Sequence, residues 1–301
     1  MKQSPVVPPP VRSGRRRLDA RGRRIGAAVL TATALVLGAT ACSAGSGDAS
    51  TRASSSEAAD IALPPAGARF DYQLGGASPV PDGAAVVARD STEAPAADAY
   101  GVCYVNGFQT QPGVDWPRDL LVRLPGGEPL VDPGWPDEHL LDIATDVNRQ
   151  AIAARQAETI TACADAGYQA VEFDNLDSWT RSEGAFDEED AVAFATLLVA
   201  EAHDAGLAAA QKNSADLAAR GRDEIGFDFA VTEECDLFDE CDAFTDVYGG
   251  LVFDIEYTDD LRGTADEVCA RVDALDTAPS TIVRDRDLVP ADEPGYSYTA
   301  C

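Results

Sequence analysis

Downstream of residue 63 the chain switches repeatedly between two periodicities: short apolar, β-prone runs and longer stretches whose apolar residues recur every three or four positions. The runs predict strands at 70–74, 84–89, 101–106, 170–175, 207–212, 228–233, 251–256 and 280–285. The longer stretches predict helices at 148–166, 188–205, 215–220, 237–247 and 264–275. Strands that alternate with helices run parallel, because parallel neighbours need a crossover rather than a tight turn. Eight such units close on themselves in about 250 residues, and 64–301 supplies 238. The expected fold is therefore α/β, a single (β/α)8 TIM-like barrel.

Two connections depart from the ideal. Segments 75–83 and 90–100 are short for full helices, so the opening turns of the barrel are expected to be irregular. Segment 107–147 is long, rich in Pro and Gly, and carries Trp116 and Trp135. A loop of that length in a compact domain is usually functional. After a third strand it lies at the catalytic face, where an aromatic ring can stack on a sugar or pin the loop to the rim.

The first 41 residues have another character. Eight basic residues and a single acid, Asp19, lead into an apolar run from 25 to 39 that is too short to span a bilayer as a mature helix. This is the layout of a secretory signal, and the paired arginines before the apolar run also permit twin-arginine export. The small residues before Cys42 and the Ser/Ala/Gly-rich stretch after it resemble a bacterial lipoprotein signal. The expectation is cleavage before Cys42, acylation of Cys42, a flexible tether over 42–63 and a membrane-anchored extracytoplasmic domain at 64–301. An ordinary secreted protein cut near Ala41 is the alternative.

Charge narrows the partners. The whole chain carries 23 basic and 52 acidic side chains, and without its first 41 residues it holds 15 and 51, a net of −36. Such a surface repels phosphate backbones, so no nucleic-acid partner is expected. Beyond Cys42 six cysteines remain: Cys103, Cys163, Cys235, Cys241, Cys269 and Cys301. An even number in an exported domain points to disulfides, with Cys235 and Cys241 the closest pair in sequence. No CxxC pair occurs, so no metal is expected.

Chemistry in a barrel gathers where strands end. The fourth strand ends in Glu172-Phe173-Asp174-Asn175 followed by Asp177, the fifth in Gln211-Lys212-Asn213, the sixth in Thr232-Glu233-Glu234 and the seventh in Asp254-Ile255-Glu256-Tyr257. One residue in six is Asp or Glu, so position rather than residue type is what discriminates. A carboxyl at the end of a buried strand stands beside an apolar wall that shifts its pKa. Two such groups are what glycosidic cleavage needs, one to protonate the leaving oxygen and one to attack or to activate water. A Ser-His-Asp triad lacks a placed histidine, because His203 falls late in a helix and His139 in the loop. No nucleotide-binding glycine motif is present, and no cofactor is expected.

Several stretches then resemble a known family: Cys103-Tyr104-Val105, Pro133-Gly134-Trp135-Pro136, Ala166 to Asn175, Glu201-Ala202-His203, Lys212-Asn213, Phe227 to Cys235, Asp239-Glu240-Cys241 and Val252 to Tyr257. In this order they resemble the endo-α-1,4-polygalactosaminidase-like glycoside hydrolases, family 114, which are TIM barrels. The resemblance implies a polysaccharide substrate and places the catalytic carboxylates on Asp174 and Glu233; if the mechanism is retaining, the former is nucleophile and the latter general acid/base, and the sequence leaves retention or inversion open. It implies substrate contacts from Asp71, Tyr104, Trp135, Asn175, Asp177, Lys212, Asn213 and Glu256. It also implies pairs Cys235–Cys241 and Cys269–Cys301, leaving Cys103 with Cys163 or one of those two as a buried thiol.

Departures from the family concern the substrate. An acid common after the third strand is replaced by Asn106-Gly107-Phe108-Gln109-Thr110, and Lys-Asn-Asp becomes Lys212-Asn213-Ser214. Thr232 and Glu234 replace Asn and Gln beside Glu233. Glu234, Asp177 and Asp71 are the acids that would restore attraction for a cationic polymer. Lys212 holds a substrate hydroxyl, lowers a carboxylate's pKa, or closes the barrel top as an ion pair. Asn175 and Asn213 orient a sugar or satisfy loop backbone. The expected protein is a monomeric hydrolase of α-linked, galactosamine-containing polysaccharide, with a noncatalytic carbohydrate-binding lipoprotein as the rival.

Overall fold

The computed structural model describes residues 61–301. The expected leader, Cys42 and the tether up to residue 60 fall outside the described residues. Among the described residues no helix is long and apolar enough to cross a membrane.

Eight parallel strands follow one another around the barrel: β1 (Phe70–Gln73), β2 (Val86–Asp90), β3 (Tyr100–Asn106), β4 (Ala170–Asp174), β5 (Ala208–Lys212), β6 (Phe229–Glu233), β7 (Val252–Tyr257) and β8 (Ser280–Arg284). Each matches a predicted run. No helix separates β1, β2 and β3, as their short connections require. Helices cover the remaining crossovers: α1 (Asp146–Ala166), α2 (Glu188–Asp204), α3 (Ala218–Arg220), α4 (Cys235–Phe238), α5 (Cys241–Tyr248) and α6 (Ala265–Val272). The long α1 starts at Thr145, whose side chain accepts from the Asn148 N–H, and stops at Gly167 with φ 97°, a left-handed residue that closes the last turn. A reciprocal Asp187–Asp190 capping box starts α2, and Thr264–Glu267 does the same for α6.

Two findings correct the sequence reading. The single helix expected over 237–247 is two helices, interrupted at Asp239 with φ 59°. The reason is covalent. Six residues of continuous helix span about 9 Å, whereas the Cys235–Cys241 disulfide holds those Cα atoms 4.7 Å apart, so the helix has to break between them. The second is an unexpected ninth strand, β9 (Tyr298–Ala300), antiparallel to β8. It occupies the seam where β8 would meet β1. Tyr298 Oη donates to the Phe70 carbonyl at 2.7 Å, and Arg284 donates to Asp71 Oδ1 at 2.7 Å. Three residues are too few for a periodicity signal.

Strand alternation divides the apolar residues between two cores. Inward positions Phe70, Val86, Val102, Ala170, Ala208, Phe229, Phe253 and Ile282 fill the barrel, with Phe253 edge-on to Phe70 and Phe229 at 5.3 and 6.0 Å. Outward positions Val105, Val171, Phe173, Ala209 and Ala230 pack beneath the helices. Disulfides staple this shell: Cys103–Cys163 joins β3 to α1 and Cys269–Cys301 joins α6 to the end of β9, with Cα separations of 6.1 and 5.0 Å. Cys103 and Cys163 are therefore paired, and neither is a free thiol.

The long loop 107–147 is folded. Antiparallel bridges join Gln109 to Leu140, Leu121 to Leu141, Arg123 to Pro129 and Val131 to His139. Leu121, Val122, Leu130, Leu140 and Leu141 are buried and belong to the outer core. The chain enters at the opposite end, where Gly67 donates to the Gly250 carbonyl ahead of β7 and Ala62 accepts from Tyr100 at the start of β3.

Candidate active site

Toward the strand ends the apolar filling gives way to a polar layer. Glu172 and Asp174, two apart on β4, face the same way, as do Lys212 ending β5 and Glu233 ending β6. Lys212 is the hub. Its Nζ lies 3.1 Å from Glu172 Oε1, 3.6 Å from Asp174 Oδ1, 3.3 Å from Glu233 Oε2 and 3.0 Å from Tyr72 Oη. Lys212 and Glu172 are fully buried, whereas Asp174 and Glu233 keep a fifth to a quarter or more of their side chains exposed at the mouth.

The two exposed carboxylates are gripped from both sides. Asp174 receives Tyr104 Oη on Oδ2 at 2.7 Å and the Asn175 N–H on Oδ1 at 2.8 Å. Glu233 receives Tyr257 Oη on Oε1 and Asn213 Nδ2 on Oε2, while its own N–H is held by Asn213 Oδ1 at 2.7 Å. Tyr72 Oη donates to Glu172 at 2.7 Å. Asn175, Asn213 and Glu234, each directly after a functional strand end, adopt φ of 66°, 49° and 63°. This left-handed step turns the chain sharply away while the preceding side chain stays pointed into the mouth. Asn tolerates it better than most residues, and strain of this kind clusters at functional sites.

Electrostatics separate the acids. Burial pushes Asp174 up, but the Lys212 ammonium and the Tyr104 and Asn175 hydrogen bonds outweigh it and hold Asp174 below its ordinary value. Glu172, deeper in the wall, is pushed to about 7 by burial despite Lys212. Lys212 itself loses by burial and gains more from Asp174, Glu233 and Glu172, so it stays charged. Tyr72, Tyr104 and Tyr257 are held neutral, first by burial and then by the adjacent carboxylates, and so serve as donors.

The remaining expected site residues divide. Asn175 and Asn213 spend their amides on protein groups: Asn213 on Glu233, and Asn175 on Asn106 Oδ1 and the Arg181 guanidinium. Lys212 is too deep to reach a sugar and acts as the ion-pair centre that lowers Asp174. Asp177 lies on the rim, paired with Arg181 at 2.7 Å. Trp135 is 54% exposed on the loop, in a turn whose N–H groups bond Asp132, and Asp132 in turn pairs with Arg181. Trp116 lies under Arg155 at 4.8 Å and packs on the core, so of the two tryptophans it pins the loop and Trp135 is left open.

Two expected contacts are not at the mouth. Asp71 falls between inward Phe70 and Tyr72 and is buried in the seam ion pair with Arg284. Glu256 falls between inward Ile255 and Tyr257, so it faces the helical shell, where it accepts the Asp236 N–H at 2.7 Å. A one-residue step along a strand reverses the face. Glu234, offered as a compensating acid, is neutralised by Arg286 at 2.6 Å. His203 pairs with Asp228 at 2.8 Å just before β6, at the far end of the barrel. Cys235, Cys241 and Asp254 lie close together, but both sulfurs are committed to a disulfide.

Glu172 and Tyr257 stand among the strand-end residues of the sequence but carry no expected role, and Tyr72 and Glu138 were not expected at the site. For the first three the signal was present as strand parity: each is an even step from an inward neighbour. Glu138 reaches the site through the loop, and periodicity carries no information there.

Residues 50–301 match the model of glycoside-hydrolase family GH114. The chain belongs to this family. Among solved structures, Aspergillus fumigatus Ega3 in complex with galactosamine is similar at 21% identity and a TM-score of 0.63, with 79% of this chain and 97% of that one covered. The glycoside hydrolase domain of PelA from Pseudomonas aeruginosa aligns at 15% identity and a TM-score of 0.49, covering 75% and 97% of the two chains. The PgaB (BpsB) glycoside hydrolase domain from Bordetella bronchiseptica aligns at 12% and 0.42, covering 75% and 96%. No individually curated protein sequence matches the chain significantly. This GH114 chain is thus a glycoside hydrolase with a polysaccharide substrate, and the likeness to Ega3 agrees with its barrel fold.

Proposed function

We propose that the chain is an exported hydrolase of α-linked, galactosamine-containing polysaccharide, working with Asp174 as nucleophile and Glu233 as general acid/base. The observation that carries this reading is the pair of mouth-facing carboxylates sharing Lys212. Their nearest oxygens can be no farther apart than the sum of the two Nζ contacts, about 7 Å. Both carboxylates thus stand within reach of one glycosidic bond, as a two-carboxylate mechanism requires.

Asp174, held anionic, attacks the anomeric carbon while Glu233 protonates the departing glycosidic oxygen; the C–O bond breaks and a glycosyl–Asp174 ester forms. Water then attacks the same carbon, Glu233 takes its proton, and the ester opens to regenerate Asp174. Tyr104 and Tyr257 fix the two carboxylates for these roles. Ega3 was crystallised with galactosamine, and a mouth with three carboxylates around one lysine suits a cationic sugar.

Export rests on the leader-like first 41 residues, and the lipid anchor on Cys42. The three disulfides support it, since they belong to an oxidising compartment. Mass spectrometry of the mature N-terminus tests the anchor: a diacylglyceryl adduct on Cys42 supports it, and a free Ser43 or Cys42 terminus refutes it. Hydrolysis is tested by reducing-end release from α-1,4-linked galactosamine oligomers and neutral α-glucans. Release that vanishes in both Asp174→Asn and Glu233→Gln supports the reading. Sugar binding without release from any substrate would favour a noncatalytic barrel instead.

A further inference from the structure

The acids that the sequence offered for attracting a cationic sugar are all occupied. Asp71 is held by Arg284, Asp177 by Arg181 and Glu234 by Arg286. Asp174 and Glu233 share Lys212. One carboxylate at the mouth has no cation in contact among the described residues. Glu138 comes from the loop 107–147, and its one side-chain hydrogen bond is from Asn106 Nδ2 to Oε2 at 2.8 Å.

Asn106 fixes where that carboxylate is. It ends β3 two steps beyond Tyr104 and four beyond inward Val102, so its side chain leans over the mouth above the phenol that grips Asp174. In the sheet Asn106 is the direct partner of Asp174. Its Oδ1 is taken by Asn175 Nδ2 at 2.9 Å, and Asn175 Oδ1 is taken by Arg181, which orients the amide with its N–H toward Glu138. The loop carrying Glu138 is seated by a buried leucine core and by the bridge between Val131 and His139. The acid is therefore placed on a rigid support beside the nucleophile, half-buried, with one oxygen uncommitted.

We infer that Glu138 is the specificity-determining acid of this site, accepting the ammonium of a glycosamine residue bound against Asp174. The inference rests on the amino-sugar reading above and adds the residue that would recognise the amine. The environment fits a group waiting for a cation. Burial pushes Glu138 to about 7, the Asn106 bond pulls it down, and Asp174 and Asp132 push it up against a smaller pull from Arg181. An arriving ammonium would lower it and release a proton near neutrality.

The test is calorimetric binding of a galactosamine tetramer and its fully N-acetylated counterpart. Glu233→Gln protein serves as background so that neither ligand is cleaved. The charged tetramer is expected to bind at least tenfold tighter, with proton release visible as a buffer-dependent heat at pH 7. Adding Glu138→Gln should remove both the preference and the proton release, while Glu138→Asp keeps most of the preference. Equal loss for both ligands, or a preference that survives Glu138→Gln, would overturn the inference. Loss of preference in a protein whose wild type cleaves neither polymer would uphold Glu138 and refute hydrolysis. Cleavage by wild type with the preference intact in Glu138→Gln would do the reverse.

Discussion

Two acid clusters, one at the ends of β4, β5 and β6 and the other behind the neighbouring β7, are built on opposite principles. At the mouth, Glu172, Asp174 and Glu233 surround one lysine and four hydroxyl or amide donors, and two of the three acids meet solvent. Behind β7, Asp254 and Glu256 are fully buried against α4 with no cation on either, and an oxygen of each has no partner. Only Asp236 in that second cluster is charge-matched, by Arg262 and Arg271, which hold it below its ordinary value against its burial. Burial raises Asp254 to about 7 and Glu256 to about 9. Beside the shared lysine Asp174 is held below its ordinary value, whereas Asp254 and Glu256, which have no cation, are pushed up by burial.

The contrast breaks most severely at the working pair. Asp174→Asn or Glu233→Gln should lower kcat by about a hundredfold to ten-thousandfold, the usual worth of such groups, with Tm nearly unchanged. Glu256→Gln should leave kcat within about twofold. A kcat loss in Glu256→Gln comparable to that in Glu233→Gln would erase the distinction. Removing the shared cation comes next. Lys212→Met leaves Glu172 buried without its partner and should cost about 3–5 kcal/mol by chemical denaturation, as for a broken buried ion pair. A loss below about 1 kcal/mol would mean that the lysine is not what holds the acids together.

The tyrosines give a finer test. Tyr257→Phe removes a hydrogen bond to a carboxylate, worth about 1.5–3 kcal/mol, so kcat/KM should fall by about tenfold to a hundredfold with the fold intact. No change would detach Tyr257 from catalysis. The smallest effect at neutral pH belongs to the buried cluster. Glu256 in the folded protein binds its proton up to about pH 9, whereas the unfolded chain releases it near 4.5. Folding therefore retains a proton between those values, and the contribution present below 4.5 is lost as pH rises through 9. Glu256→Gln cannot ionise, so Tm plotted against pH should fall less steeply for it than for wild type above neutrality. Parallel curves would show that Glu256 is not protonated in the fold.

These clusters also mark how far the sequence could be read. All eight barrel strands were legible because buried parallel strands are short unbroken apolar runs, and Asp174, Lys212 and Glu233 were legible as their polar last residues. Facing was the weak point. Glu256 satisfied "acid near a strand end", and Asp71 entered through the resemblance, but both sit one step out of phase, and only parity counted from Phe253 or Phe70 separates them from the site. The break between α4 and α5 came from a disulfide, which hydrophobic periodicity does not encode. Glu138 depends on bridges across loop 107–147 that couple residues as distant as Gln109 and Leu140, and no local pattern announces such a pairing.

The entry of the chain beneath the barrel has its own consequence. Because Ala62 and Gly67 are fastened to the starts of β3 and β7, the described chain begins at the floor, and the cleft above Lys212 faces the other way. A bead coupled at a residue placed next to Ala62 would lie behind that floor and leave the cleft turned outward. A long polymer could then lie across it from either direction.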